Sequence, residues 1–127
     1  MSWDRATCAK ALVTLLGPAL PGVSVYDRPM YSYNAPAVIV GRAAETRYST
    51  FAIGIDETQL PLTVAVGTER EDDVSDLMAQ IRSAIEGDNS LGGTVASCTA
   101  ALDRNWRNTK VAGADLLAAD LVLQVYM

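Results

Sequence analysis

The sequence predicts an α+β fold, a single domain over residues 1–127 in which a mainly antiparallel β-sheet carries two α-helices packed on one face. Three observations predict it. Two stretches repeat their apolar residues at helical spacing, while several others alternate or run apolar in the manner of strands. The elements come in the order helix, several strands, helix, two strands. With 127 residues, half of them apolar, and no repeat, low-complexity tract or shift of composition, one hydrophobic core suffices and no second domain is marked.

Each element follows from local chemistry. Residues 3–16 favour a helix, with Ser2 placed to cap it and Cys8, Ala9, Leu12, Val13 and Leu16 on one face; Gly17-Pro18 is expected to stop it. Leu20-Pro21-Gly22 reads as a tight turn into a short strand, Val23-Ser24-Val25-Tyr26. Residues 27–36, with two prolines, Asn34, Tyr31 and Tyr33, read as a loop. The run Val38-Ile39-Val40 closes at Gly41; Phe51, Ile53 and Ile55 then alternate with small residues before an expected turn at Asp56-Glu57-Thr58. A further strand covers residues 60–66, with Pro61 at its start, where a missing N–H is tolerable. Val74, Leu77, Met78, Ile81 and Ile85 then define an amphipathic helix, with Gln80, Arg82, Ser83 and Glu86 opposite. Thr68 and Glu71 suggest a capping box at its start, and Gly87 a left-handed cap at its end. Leu91-Gly92-Gly93-Thr94-Val95 turns into an extended stretch ending near Leu102, residues 103–113 read as polar and turn-like, and residues 115–127 form a long strand inside the sheet.

Composition excludes much chemistry. The chain has no histidine, so Ser-His-Asp and Cys-His nucleophile systems and histidine-ligated metals are closed to it. Cys8 and Cys98 stand far apart with neither zinc-ligand nor CxxC spacing and read as two reduced, buried thiols. Leu91-Gly92-Gly93 lacks the later Gly, Lys and Ser/Thr of a phosphate loop. A net charge of −5 argues against gripping nucleic-acid phosphate as the main task. No apolar run approaches the roughly 18 residues of a membrane span, and the N-terminus lacks an export signal, so a soluble, unprocessed protein is expected. No catalytic, cofactor or metal residues are therefore assigned.

Residues up to Gly67 hold five bases and five acids, the remainder five bases and ten acids. Glu69, Glu71, Asp72, Asp73 and Asp76 do not match a calcium loop, and the positive end of the helix dipole accounts for them. Asp56 and Glu57, adjacent in a turn, point apart and make a poor acid–base pair. Two segments are candidate contact surfaces. One is Asn105-Trp106-Arg107 within the run Asp103 to Lys110, where a Trp among cations suits a protein partner better than nucleic acid; its structural reading is a solvated connection with the Trp on the sheet rim. The other is the proline-bounded loop with Arg28, Met30, Tyr31 and Tyr33.

Three features coincide further: the Pro21-Gly22-Val23-Ser24-Val25 strand opening after an N-terminal helix, the Ile-rich helix running into Leu91-Gly92-Gly93-Thr94-Val95, and a terminal strand from Gly113 through Leu116 and Ala119-Asp120-Leu121-Val122-Leu123-Gln124-Val125. Together they resemble the tail terminator, or tail-completion, proteins of long-tailed bacteriophages, with Leu116 and Leu117 where many of these have an aromatic. The resemblance covers most of the chain by layout. It implies a non-catalytic virion protein of the tail and neck, assembled in the host cytoplasm, that forms a ring, typically a hexamer. Such a ring caps the head-proximal end of the tail tube, ends tube growth and offers the head-docking surface. The implied partners are other copies of the chain, the tail tube protein and a head-completion or stopper protein, with double-stranded DNA passing through the lumen unread and no membrane or cofactor involved. Arg28, Tyr31, Tyr33, Asn105, Trp106 and Arg107 are the expected protein contacts. Two other readings remain open, a different head–tail connector such as a stopper or adaptor, and a small host α+β ligand-binding module with a concave polar pocket.

Overall fold

The computed structural model describes residues 3–52, 54–68 and 70–127, with the side chains of 49–52 outside the description. Among these residues the elements are α1 (Arg5–Ala19), β1 (Ser24–Tyr26), β2 (Ala37–Val40), β3 (Glu45–Ala52), β4 (Ile55–Val66), α2 (Glu71–Gly87), β5 (Ser97–Val111) and β6 (Ala114–Tyr126). The strands form one sheet in the order β1-β2-β4-β6-β5, with β3 paired to the first half of β4. β1 and β2 run parallel and the other pairs antiparallel, as the α+β reading requires.

β4 shows why both helices lie on one face. Its Leu60, Leu62, Val64 and Val66 join the core with Cys8, Leu12 and Leu16 of α1 and Val74, Leu77, Met78, Ile81 and Ile85 of α2. Leu121, Leu123 and Val125 of β6 extend the same face. Every apolar position that the helical spacing of α2 selected is buried. In α1 the buried set is Cys8, Ala9, Leu12 and Leu16, with Val13 only half-buried.

Several local expectations are corrected. The expected cap Ser2 lies outside the described residues; Asp4 caps α1, its carboxylate accepting from the Thr7 amide at 3.3 Å and the Thr7 hydroxyl at 2.8 Å. Pro18 does not stop the helix, because in the final turn its missing N–H forfeits a single bond while Leu20 still donates to the Leu16 carbonyl at 3.0 Å. No capping box forms on α2: Arg70 occupies the cap position without a side-chain bond, and the Thr68 hydroxyl donates to Asp73. Gly87 is the last helical residue, and the left-handed positions are Leu91, Gly92 and Gly93, whose loop amides Gly92 and Gly93 donate to Asp88 and Ser90 side chains at 2.9 and 3.0 Å.

Asp56-Glu57-Thr58 is not a turn but the start of β4, and the reversal before it carries Gly54 at φ +80°. The strand accepts a buried acid because the Asp56 carboxylate takes the Trp3 amide at 2.6 Å. Of the expected alternation there, Ile53 lies outside the described residues. Pro61 falls in mid-strand, at the point where the neighbour of β4 changes from β3 to β2. Its carbonyl accepts from Gly41 at 2.9 Å, so its missing N–H falls in the gap between those two partners. Gly41 fits that gap closely: a Cβ there would sit 3.1 Å from both the Pro61 ring and its carbonyl oxygen, so one of them would have to give way by a few tenths of an ångström. Arg5 closes the same corner, donating to the Val40 and Gly41 carbonyls at 2.9 and 3.0 Å.

The largest correction is β5. Residues 103–111, expected as a polar connection, continue the strand and pair with β6 as far as the Ala112-Gly113 turn. An edge strand with most of its side chains in solvent needs no apolar alternation, so its polarity concealed it.

Candidate functional site

The face of the sheet away from the helices holds three of the contact candidates, Tyr33, Asn105 and Arg107. Ala37, Ala65 and Ala118 lie side by side across β2, β4 and β6 and make a shallow trough. The 27–36 loop enters it through Tyr33 and Ala35, which pack with Val111 against Ala65, Leu116 and Ala118. The Tyr33 ring also meets Tyr26 at 6.4 Å, tilted by 54°. Burial raises the Tyr33 hydroxyl pKa, partly offset by the positive charge of Arg107. Residues 74 positions apart in the chain thus share one site, which no sequence spacing reveals.

Two bulges in β5 arrange the rest. Ala101 is an extra residue between the Ala100 and Leu102 pairings, and Asn105 and Trp106 together oppose Ala119. Asn105 takes φ +58° and sends its amide to Asp120 at 3.0 Å. Asp120 also accepts from the Thr63 hydroxyl at 3.1 Å and from Arg107 at 3.3 Å, while Arg107 donates to the Asn105 carbonyl at 2.7 Å. Asp120 is the node of this network, with its side chain only 14% exposed, and sequence reasoning passed over it because an acid on a strand reads as solvent-facing.

Trp106 lies on the other face. It packs against the main core beside α2, and its indole N–H donates to Asp103 at 2.7 Å. The run Asn105-Trp106-Arg107 is therefore divided between two faces. In the loop, Tyr31 is fully exposed at 103% and Met30 at 37%, while Arg28 pairs with Asp27 at 3.3 Å in solvent. Tyr48 and Leu102 are the other large apolar side chains standing in solvent among the described residues.

A polar notch of about 70 Å³ lined by Glu45, Arg47, Glu57, Gln59 and Gln124 is self-satisfied, Arg47 pairing with Glu45 at 3.1 Å and Gln124 donating to Glu57 at 2.9 Å. Its groups do not converge on a vacant centre as a ligand pocket requires. Asp56 and Glu57 alternate in β4, the first buried and the second bonded to Gln124. Among the described residues no three His, Cys, Asp or Glu side chains gather as a metal site, and no helix is long and apolar enough to cross a membrane. The acids at the start of α2, Glu71, Asp72 and Asp73, sit at the positive end of the helix dipole; Glu69 is outside the described residues. Cys8 and Cys98 are fully buried, and burial pushes their thiols up to about 11 and about 12. Arg104, Arg107 and Lys110 alternate with Asp103, Asp115 and Asp120 along the β5–β6 ribbon, leaving it electrically balanced rather than basic.

Among curated proteins no relative matches the chain. The family model described as tail completion protein gp17 matches residues 6–114, from the first turn of α1 to the start of β6. The chain therefore belongs to the tail completion protein gp17 family and is a structural component of the bacteriophage tail.

Proposed function

We infer that this protein, acting as one domain over its 127 residues, closes into a ring of six copies that caps the head-proximal end of the completed tail tube. The ring ends tube growth, receives the filled head through a head-completion or stopper protein of the neck, and lets double-stranded DNA pass through its lumen. The observation that carries this reading is the family match over residues 6–114. Exposed Tyr31 and the long β5 edge are surfaces that a ring subunit would have to cover. Arg28, Tyr31, Asn105, Trp106 and Arg107 make the contacts, with Tyr33 holding the loop from beneath. The acidic surplus of the second half faces the channel and repels phosphate, so DNA slides without being gripped.

The test is the mass of the purified protein by light scattering over a range of concentrations, with negative-stain images of it alone and mixed with tail tubes. Rings, free or on one end of the tubes, support the reading. A protein that stays monomeric and ignores tubes refutes it, and binding to heads lacking tails in preference to tubes transfers it to a stopper. A lumen lined mainly by lysine and arginine in the assembled ring would remove the channel argument.

A further inference from the structure

We propose that residues 27–36 are a hinged strap that lifts off the sheet as a unit while the core stays folded. The device belongs to the single chain and needs no partner, so it stands apart from the ring reading above.

The strap is fastened at its ends and free along its length. At one end Tyr26 closes the parallel pairing of β1 with β2, and at the other the Pro36 carbonyl accepts from the Ser24 amide at 3.1 Å. Among the described residues no hydrogen bond joins residues 28–35 to another element, and the ion pair of Arg28 with Asp27 lies within the strap. Its backbone groups are therefore left to water whether the strap is down or lifted, and lifting it breaks no ladder bond.

Packing alone holds it down. Tyr33 and Ala35 turn inward, while the side chains from Arg28 to Ser32 and that of Asn34 are exposed. Beneath them lie Ala65, Ala118 and Leu116, at 0%, 0% and 3% exposure on a sheet face that no helix covers. Alanines on such a face stand open unless something lies across them, so the strap is their cover. Methyl groups give the Tyr33 ring little to interlock with. Its hydroxyl lies near Arg107, but that guanidinium is held to the sheet by Asp120 and the Asn105 carbonyl and stays behind.

Location keeps the opening local. Ala65, Leu116 and Ala118 form a cluster of their own, with the sheet between them and the main core, so lifting the strap leaves no hole among the core side chains. Arg28 and Tyr31 ride on the strap. A partner that binds them better in the lifted position shifts the chain toward it.

The experiment places a thiol under the strap. Ala118→Cys on β6 and Ala65→Cys on β4 lie on the covered floor, and Ala65→Cys repeats the test if Ala118→Cys fails to fold. Ala119→Cys, next along β6, faces the main core, where Cys8 and Cys98 serve as internal references. In the folded protein each floor thiol should react with iodoacetamide at least about a hundredfold faster than the three core thiols, because local opening costs a fraction of global unfolding. Its rate should stay flat in urea below the unfolding transition, since little surface is exposed. Adding Ala35→Cys and Gly67→Cys to the Ala118→Cys variant tests the strap itself. A Cβ on Gly67 would stand 3.8 Å from that of Ala35, a spacing that suits a disulfide. Closing that bond with oxidised glutathione, mapped by mass spectrometry, should abolish the fast reaction. Floor thiols that react no faster than Cys8 and Cys98, at a rate climbing steeply in urea, overturn the proposal, and so does a fast reaction that survives the crosslink.

Discussion

Replacing Asp120 with alanine is the sharpest test of how the β5 edge is held. The carboxylate accepts from Thr63, Asn105 and Arg107 at 3.1, 3.0 and 3.3 Å, with 14% of the Asp120 side chain exposed. The Thr63 hydroxyl is partly buried, and losing its acceptor costs about 1 kcal/mol. Asn105 is exposed and can turn to water, so its bond contributes about 0.5 kcal/mol, yet that bond also holds a residue at φ +58°. Arg107 is 41% exposed, and solvent screening holds its share below about 0.5 kcal/mol. Together Asp120→Ala should lower the unfolding free energy by about 2 kcal/mol, or the melting temperature by roughly 5–12 °C for a domain of this size. Urea unfolding followed by tryptophan fluorescence measures it, since Trp106 is part of the bulge. Asp120→Asn should cost less, because the amide oxygen still accepts from Thr63 and a flipped Asn105 can receive its N–H. A loss under about 0.5 kcal/mol for the alanine variant, or strict additivity with Thr63→Val, would show that the network holds nothing.

Two further outcomes follow from the core. Gly41→Ala places a methyl 3.1 Å from the Pro61 ring and carbonyl, neither of which can swing away, so a loss of about 1–3 kcal/mol is expected in the same urea assay. The thiols set an alkaline limit: burial raises Cys8 to about 11 and Cys98 to about 12, the nearby Cys8 adding to the rise at Cys98. Because both folded values lie above that of an unfolded thiol, about 8.5, their stabilisation is complete below that pH and is lost as pH climbs toward the folded values. Stability should therefore fall between about pH 9 and 11, each thiol contributing on the order of 1 kcal/mol per pH unit, and Cys98→Val should reduce that slope; an unchanged slope refutes the assignment.

What the sequence determined by itself is whatever local periodicity encodes. The spacing of Val74, Leu77, Met78, Ile81 and Ile85 marks the buried stripe of α2, and the alternation from Leu117 to Val125 marks a strand inside the sheet, because a half-buried element must repeat its apolar residues at its own pitch. The family was legible in the same way, from short motifs around Gly22, Gly92 and Gly113, all at positive φ, a conformation that glycine takes without steric cost. Where pairing rather than pattern decides, the sequence was silent. Residues 103–111 are a strand only because β6 lies beside them, and Asp56 enters β4 as a buried acid whose carboxylate takes the Trp3 amide while its backbone pairs with Met127. The contact surface is the furthest from local rules. Long-range packing sets Tyr33 on an alanine trough next to Arg107, and a bulge turns Trp106 to one face and Asn105 to the other. Such relations depend on register between strands distant in the chain, which only the folded sheet supplies.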